Sequence, residues 1–172
     1  MDFEQLIDQR YSVRDFKPEH LSQAVLDKII AAGHKAPTGC NYQPQRILVL
    51  NTDEAIAKLR QCTKCHFNAP TALLVCHNKT ESWKRIYDGA LSSPVDATIV
   101  TTYTMLAAQN EGVGSCWVMH FDPAAMREQF NIPEQIEPVA LLVLGFPSDK
   151  AKPIDMHFAF RPVEETVLYE TF

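Results

Sequence analysis

The chain has 172 residues, of which 46% are hydrophobic and 22% are charged, values that suit one globular domain with a substantial core. Its formal net charge is −5 and no basic stripe dominates, so the composition argues against a nucleic-acid-binding protein. No apolar run approaches the roughly 20 residues that are needed to span a bilayer, and we therefore expect no membrane partner.

The N-terminal stretch has a pattern that indicates an anion site. A short amphipathic segment, Phe3 to Ile7, precedes Arg10 to Phe16, in which two arginines and a serine alternate with apolar or aromatic residues. In an extended backbone, residues two apart share a face, so Arg10, Ser12 and Arg14 would project together. Guanidinium groups match phosphate oxygens bidentately. The pattern predicts a site for a phosphorylated small molecule, and the alternative is two solvated surface charges.

Helix and strand signals alternate along the next part of the chain. Apolar residues at helical spacing, together with caps and breakers, predict helices over 20–35, 52–62, 94–111 and 123–130, with Thr52 or Asp53 as the N-cap of the second. Short apolar runs predict strands over 46–50, 71–76, 115–120 and 139–144. Residues 78–89 are predicted to form a loop or a short irregular helix. This order predicts an α+β or α/β domain of three layers.

The end of the chain has no evident place on this core. It is punctuated by proline from Pro147 onward and finishes in a mixed segment, residues 162–172, whose apolar side chains would be poor neighbours for solvent. A tail of this kind often packs across a partner subunit. We therefore expect a homodimer, in which residues 1–172 form a single domain and residues 147–172 an extended arm.

A second candidate site is the loop Ala36 to Pro44, between the first long helix and the first strand. Pro37 and Thr38 belong to a group of breakers that forces an ordered loop. Asn41 and Gln43 offer amide groups at alternating positions, which can pair with a flat heterocycle that has donors and acceptors on its edge. The alternative is a turn whose Asn and Gln side chains satisfy its own backbone.

A third candidate site is the stretch Gly112 to Asp122. Its glycine turn leads into a strand, and backbone N–H groups at the end of that strand could face a ligand. The glycines precede a strand and the third glycine is missing, so the stretch is not a dinucleotide fingerprint. The sequence therefore predicts no Rossmann site for permanently bound NAD.

Taken together, these stretches resemble the nitroreductase family of FMN-dependent oxidoreductases. The resemblance covers about the whole chain and rests on five motifs in the right order. These are Arg10-x-Ser12-x-Arg14-x-Phe16, Ala36-Pro37-Thr38-x-x-Asn41-x-Gln43-Pro44, Asp96 opening a long helix that Leu106 to Gly114 closes, Trp117 to Asp122, and Arg161 to Glu165. The resemblance implies a three-layer α/β/α fold with a central mixed sheet, and a homodimer with FMN at the subunit interface.

The resemblance also implies which residues bind the cofactor. The arginines would hold the phosphate of FMN, the loop amides would come from the partner chain, and the backbone at the end of the third strand would line the isoalloxazine. The N–H of Met119 or His120 would lie near N5, the atom that accepts hydride. The full set is Arg10, Tyr11, Ser12, Arg14, Pro37, Thr38, Asn41, Gln43, Trp117, Val118, Met119, His120 and Arg161.

In the implied activity the flavin carries the chemistry, and the protein supplies orientation and electrostatics. NADH or NADPH would donate hydride and leave, and a nitroaromatic, quinone or related electrophile would then occupy the same face, which gives ping-pong kinetics. No side chain is implied as a certain catalytic acid or base, and no metal is implied. The alternative is a non-catalytic protein of the same fold that binds FMN for storage, sensing or handling.

Three positions depart from the usual pattern of the family. Tyr11 stands where a second arginine or a histidine is more usual, and His120 replaces a residue that is commonly glycine. The side chain of His120 would crowd the flavin edge, offer a proton donor to substrate, or point into solvent. Arg161 precedes Pro162 where a basic pair is common, so one phosphate contact would be absent or shifted.

The segment Cys62 to His66 spells the attachment signature of c-type haem, which competes with these motifs. Haem attachment requires export, but the acidic N-terminus, Met1 to Glu4, lacks the basic and apolar regions of a signal peptide, and we expect a cytoplasmic protein. The same residues could form a zinc site completed by Cys76 or His77, or a redox sensor that uses the two cysteines of the segment. We favour a helix terminus at which these residues coincide.

Overall fold

The helices and strands predicted from the sequence are present in the computed structural model, which describes residues 1–172. Their ends differ from the predicted ones by at most three residues. The helices are α1 (Phe3–Gln9), α2 (Gln23–His34), α3 (Asp53–Cys62), α4 (Ser93–Asn110), α5 (Pro123–Phe130) and a short α6 (Val163–Thr166) in the tail. The strands are β1 (Gln45–Leu50), β2 (Thr71–Asn78), β3 (Gly114–Val118) and β4 (Ile136–Gly145).

Capping side chains explain where several helices begin and end. Ser22 accepts a hydrogen bond from the Val25 N–H, and Thr52, one of the two predicted N-caps, accepts one from the Ala55 N–H at 3.2 Å. Each cap satisfies one of the donors that a helix N-terminus leaves free. At the C-terminus of α5, Asn131 adopts the left-handed conformation with φ 51°, which stops the helix.

The four strands form one sheet in the order β1-β2-β4-β3. The resemblance implied a mixed sheet, but every pair of neighbouring strands is antiparallel. The one parallel pairing is an isolated bridge between Ser12 and Ser115, at the outer edge of β3. The N-terminal segment makes this single bridge and then leaves the edge, so it does not become a fifth, parallel strand.

Helices cover both faces of the sheet, which gives the predicted three layers. Because successive side chains of a strand point to opposite faces, neighbouring residues of β2 enter different cores. Leu73 packs in a cluster that contains Leu26 of α2, on the face that α4 also covers. Leu74 packs in a second cluster that contains Leu59 of α3 and Met126 of α5. A side chain of this size contributes about 1.5–3 kcal/mol when it is fully buried.

The predicted arm divides into two parts. Its first part, residues 147–157, packs on its own chain, where the ring of His157 lies edge-on to the ring of Tyr11. Every residue from 158 to 172 is exposed, and the ring of Phe160 is 84% exposed. Apolar rings are unfavourable in water, so this second part is a surface that a partner would stabilise.

No helix of the chain combines the length and the apolar character needed to cross a membrane.

Candidate functional site

The arginine-rich segment lies in extended backbone along the outer edge of β3. The N–H of Val13 donates to the carbonyl of Ser115 at 2.8 Å, within the parallel bridge. Val13 and Phe16 are buried and anchor the segment in the core. Ser12 is half-buried and Arg14 is exposed, so the polar positions stay outside the core. The structure therefore has the extended conformation that the sequence pattern requires.

Arg10, Ser12 and Arg14 lie on one extended segment, which runs beside Cys116 on the strand that carries the bridge. Because residues two apart share a face of an extended backbone, their side chains project on the same side. Burial raises the pKa of the Cys116 thiol, and the charge of Arg14, a hydrogen bond with Ser12 and the charge of Arg10 oppose that rise. Neither arginine forms an ion pair with a carboxylate of the chain.

Two contacts hold the guanidinium of Arg14. Its Nη1 donates to the carbonyl of Ser12 at 3.3 Å, and its Cζ lies 5.9 Å from the centroid of the Phe67 ring. A cation over an aromatic face is stabilised by the ring quadrupole, but it keeps its donors for another ligand. Two unpaired guanidinium groups and a hydroxyl form a site that can bind a phosphate dianion.

Tyr11 has a structural contact that the sequence did not reveal. Together with Ser12 and Arg14 it lines a cavity of about 170 Å³, whose other wall is the first part of the arm. The centroids of the Tyr11 and His157 rings are 6.4 Å apart, with an angle of 64° between the planes. Edge-to-face pairs of aromatic rings are favourable. The contact with Tyr11 therefore holds the first part of the arm next to Arg14.

The loop 36–44 turns its amide side chains outward. Thr38 Oγ1 accepts a hydrogen bond from the Gln43 N–H at 3.1 Å, so the loop closes without the amide of Asn41. Asn41 and Gln43 are exposed, as is Pro37. The amide of Gln43 makes only a long hydrogen bond, 3.5 Å, to the Asn41 carbonyl. The amides are therefore free to bind a ligand, but no residue of this loop lines the cavity at Tyr11.

Asp96, at the start of α4, holds this loop in place. Its carboxylate is buried, and one oxygen accepts a hydrogen bond from the Gly39 N–H at 2.8 Å. The other oxygen accepts one from the Ser92 hydroxyl at 2.8 Å, and the Ser92 N–H donates to the carbonyl of Trp83. The sequence motif includes Asp96, but these partners follow only from the tertiary structure. Asp96 therefore positions two loops: the loop 36–44, through Gly39, and the loop before α4, through Ser92.

Strand β3 ends at Val118, two residues before the predicted end, and the chain leaves the sheet at Met119 and His120. The side chains of Trp117 and Val118 pack into the cores on opposite faces of the sheet, so only their backbone could contact a ligand. The N–H groups of Met119 and His120 donate to no backbone acceptor in the chain. Two adjacent free donors suit the acceptor atoms of a bound heterocycle.

The turn that contains His120 packs against the end of α3. The hydroxyl of Thr63 donates to the carbonyl of His120. Between the two elements lies a groove of about 300 Å³, whose lining residues include Arg60, Lys64 and His120. The sequence interpretation did not single out Arg60 or Lys64, because their distance in sequence from His120 gives no sign that they meet it.

Within the chain, Arg161 does not join the trio of Arg10, Ser12 and Arg14. Its Nη1 lies 3.3 Å from Oε2 of Glu165 in the exposed tail. It does not line the cavity at Tyr11 either. Its contact with the phosphate of a cofactor stays a prediction.

The segment Cys62 to His66 is a helix terminus, since α3 ends at Cys62. Cys62 is buried, and burial, followed by the charge of Asp122, raises the pKa of its thiol. A raised pKa disfavours the thiolate that a redox sensor needs. The Nδ1 atom of His66 accepts a hydrogen bond from the Asn68 N–H at 3.0 Å, so this nitrogen serves the local turn. The geometry assembles no group of three metal-ligating side chains.

Comparison with known proteins agrees with this fold. The sequence model of the nitroreductase family matches residues 7–91 and 66–146. A relative from Archaeoglobus fulgidus, provisionally named NADH dehydrogenase/NAD(P)H nitroreductase, is 29% identical over 164 residues, which are 91% of this chain and 92% of the relative. The chain belongs to the nitroreductase family.

Solved structures give the same fold. The crystal structure of a nitroreductase family protein from Clostridium difficile 630 is similar with a TM-score of 0.93 and 36% identity, over 100% of both chains. A protein from Exiguobacterium sibiricum 255-15, provisionally described as a nitroreductase and crystallised in complex with FMN, has a TM-score of 0.86 at 18% identity. That match covers 99% of this chain and 98% of the other, and it supports the three-layer architecture.

The contacts of Asp96 lead to a first prediction. In Asp96→Ala, both carboxylate oxygens are lost, so the Gly39 N–H and the Ser92 hydroxyl lose their acceptor. We expect a loss of about 1–3 kcal/mol in the free energy of unfolding, because buried donors are left unsatisfied. Faster hydrogen exchange at the Gly39 N–H would locate the effect. Asp149→Ala, at a fully exposed carboxylate, is the matched control. Unchanged exchange at Gly39 would contradict the positioning role.

Proposed function

We propose that this protein is an FMN-dependent oxidoreductase, which takes hydride from NADH or NADPH and reduces a nitroaromatic, quinone or related electrophile by a ping-pong mechanism. The observation that carries the proposal is the trio Arg10, Ser12 and Arg14, which lies on one extended segment along the edge of β3 with both guanidinium groups unpaired. Membership of the nitroreductase family and the FMN complex of a similar structure support the same cofactor.

The residues of the chain fit FMN at two of its ends. A phosphate monoester carries close to two negative charges, which two guanidinium forks and the Ser12 hydroxyl can receive through charge-assisted hydrogen bonds. The free N–H groups of Met119 and His120 suit the acceptor atoms along the edge of a flavin ring. When it is bound, FMN supplies the hydride chemistry. The protein then has to bind, orient and shield, and no side chain has to act as an acid or base.

A homodimer belongs to the same proposal. The exposed apolar part of the arm, residues 158–172, would be covered by a second copy of the chain. The free amides of Asn41 and Gln43 would then complete the flavin site of the partner subunit, as the family resemblance implies. Arg161 lies in this part of the arm, so its contact with the phosphate would be made across the interface.

The alternative is a protein of the same fold that binds FMN without turnover, for storage, sensing or handling. The departure at His120 is the feature that favours it. A side chain stands there beside two free N–H donors, where the family commonly has glycine, and the histidine is exposed. It could limit access to a bound flavin. Reduction of the flavin by a nicotinamide donor separates the two functions.

We predict that the purified protein is yellow, or becomes yellow with FMN, and that NADH or NADPH bleaches it under anaerobic conditions. Absorbance spectra before and after the donor, and again after a nitroaromatic or quinone is added, measure binding, reduction and turnover in one sample. Protein that is colourless after incubation with FMN and removal of the unbound FMN by gel filtration would contradict the proposal. A yellow protein whose flavin neither donor reduces would favour the non-catalytic alternative.

We predict that Arg14→Ala weakens FMN binding, because it removes charge-assisted contacts worth on the order of 1.5–3 kcal/mol. The dissociation constant should rise about 10- to 150-fold. Fluorescence quenching of FMN on titration with protein measures it. Lys17→Ala is the matched control, since Lys17 lies in the same segment but pairs with Asp149 at 3.7 Å. If both variants bind FMN like the parent, Arg14 is only a surface charge.

We predict a particle mass of twice 19.4 kDa by light scattering. A variant that lacks residues 162–172 should shift towards the monomer, because it loses part of the apolar surface that the partner covers. Far-UV circular dichroism checks that the core remains folded, since these residues contribute only α6 to it. A monomer in the full-length chain, or a truncated chain that stays dimeric, would contradict the role of the arm.

A further inference from the structure

The groove between the end of α3 and the turn 119–122 is not used by the proposed flavin site, and we call it the α3 groove. Its volume of about 300 Å³ lies at the lower end of the range for small-molecule sites, roughly 300–1,000 Å³. Arg60 and Lys64 line it from the end of α3, and His120 lines it from the turn. The groove is large enough for a substituent of a substrate and too small for a whole dinucleotide.

The groove carries a net positive charge, since Arg60 and Lys64 outnumber the single carboxylate of Asp122. Arg60 and Lys64 form no ion pair, although the chain as a whole has a net charge of −5. Their neighbour Lys58, on the same helix, pairs with Glu54 at 3.2 Å. Burial lowers the pKa of His66, and the charges of Arg60 and then Lys64 lower it further, so their field reaches adjacent groups.

Asp122 is the only acidic residue of the groove, and its Oδ1 accepts hydrogen bonds from the N–H groups of Ala124 and Ala125 at 2.8 and 3.1 Å. The hydroxyl of Thr63 donates to the carbonyl of His120. The two cations therefore outnumber the single carboxylate and keep their donors for a ligand, which is a composition that suits an anion.

The position of the groove connects it to the reaction. His120 has its backbone N–H among the free donors at the end of β3, and the same residue lines the α3 groove. We propose that the α3 groove binds the anionic group, a carboxylate or a phosphate, of a substrate that reacts at the adjacent flavin site. The identity of that substrate rests on the proposed function. The anion has two sources, a carboxylate on the electron acceptor or the 2′-phosphate of NADPH.

Equilibrium binding to the FMN-loaded protein tests the proposal without turnover. Isothermal titration calorimetry compares two pairs of probes that differ in one anionic group: 4-nitrobenzoate with 4-nitrobenzamide, and NADP⁺ with NAD⁺. The test variant is Arg60→Gln with Lys64→Gln. The control is Lys58→Gln with Lys35→Gln, which removes the same charge outside the groove. A thermal melt of each variant is recorded, because Arg60 also lies in the last turn of α3, where a cation stabilises the helix dipole.

We expect the parent and the control to bind the anionic member of one pair about tenfold more tightly or better, and the test variant to bind both members alike. A preference for 4-nitrobenzoate identifies the acceptor as the source, and a preference for NADP⁺ identifies the donor. Equal binding within both pairs in the parent overturns the proposal. So does a preference that survives in the test variant, in which case a lowered melting temperature would assign Arg60 to the helix end.

Failure of the proposed function has a different signature. If neither NADH nor NADPH reduces the flavin, the oxidoreductase activity is excluded, while the two binding ratios still decide whether the α3 groove recognises an anion. If the flavin is reduced but the ratios are equal to one, the activity stands and the groove has no part in choosing the substrate.

Discussion

The hydrogen bond from the Val13 N–H to the Ser115 carbonyl is the constraint on which the candidate site depends. It fixes the register of the N-terminal segment against β3, so that Val13 and Phe16 enter the core while the arginines stay outside. A slip of one residue would exchange these two faces and turn guanidinium groups towards apolar side chains, which is very costly. The apolar residues between the arginines therefore determine where the positive charge lies.

Much of the fold could be predicted from the sequence because its strongest signals are local. The strands β2 and β4 are buried on both faces, so they appear as continuous apolar runs that need no knowledge of their neighbours. The N-cap at Thr52 and the proline that begins α5 are equally local. The predicted ends of β3 and β4 differ from the observed ones by up to three residues, because the point at which a strand leaves its sheet is set by tertiary contacts. For β3 these include the contact between Thr63 and the carbonyl of His120.

The candidate site was only partly accessible from the sequence. The alternation at residues 10–14 predicted a shared face, and the structure has it. Tyr11 could not be explained, because its partner His157 lies far along the chain and meets it only when the arm folds back. Arg60 and Lys64 were missed for the same reason, since helix α3 and the turn at His120 are joined through the sheet. A sequence does not show which charged side chains remain without an ion-pair partner, because the ion pairs are known only once the chain is folded.

The contact between Tyr11 and His157 lies between the proposed cofactor site and the part of the arm that is proposed to pair subunits. Tyr11 lines the cavity beside the arginines, and His157 is the last residue before the exposed part of the arm begins. If FMN binding and dimerisation both act through this contact, thermodynamic linkage makes their effects on each other equal. If dimerisation strengthens FMN binding by some free energy, FMN binding strengthens dimerisation by the same free energy. The fraction of dimer would then rise and fall with the concentration of FMN, so that the oligomeric state would depend on how much cofactor is available.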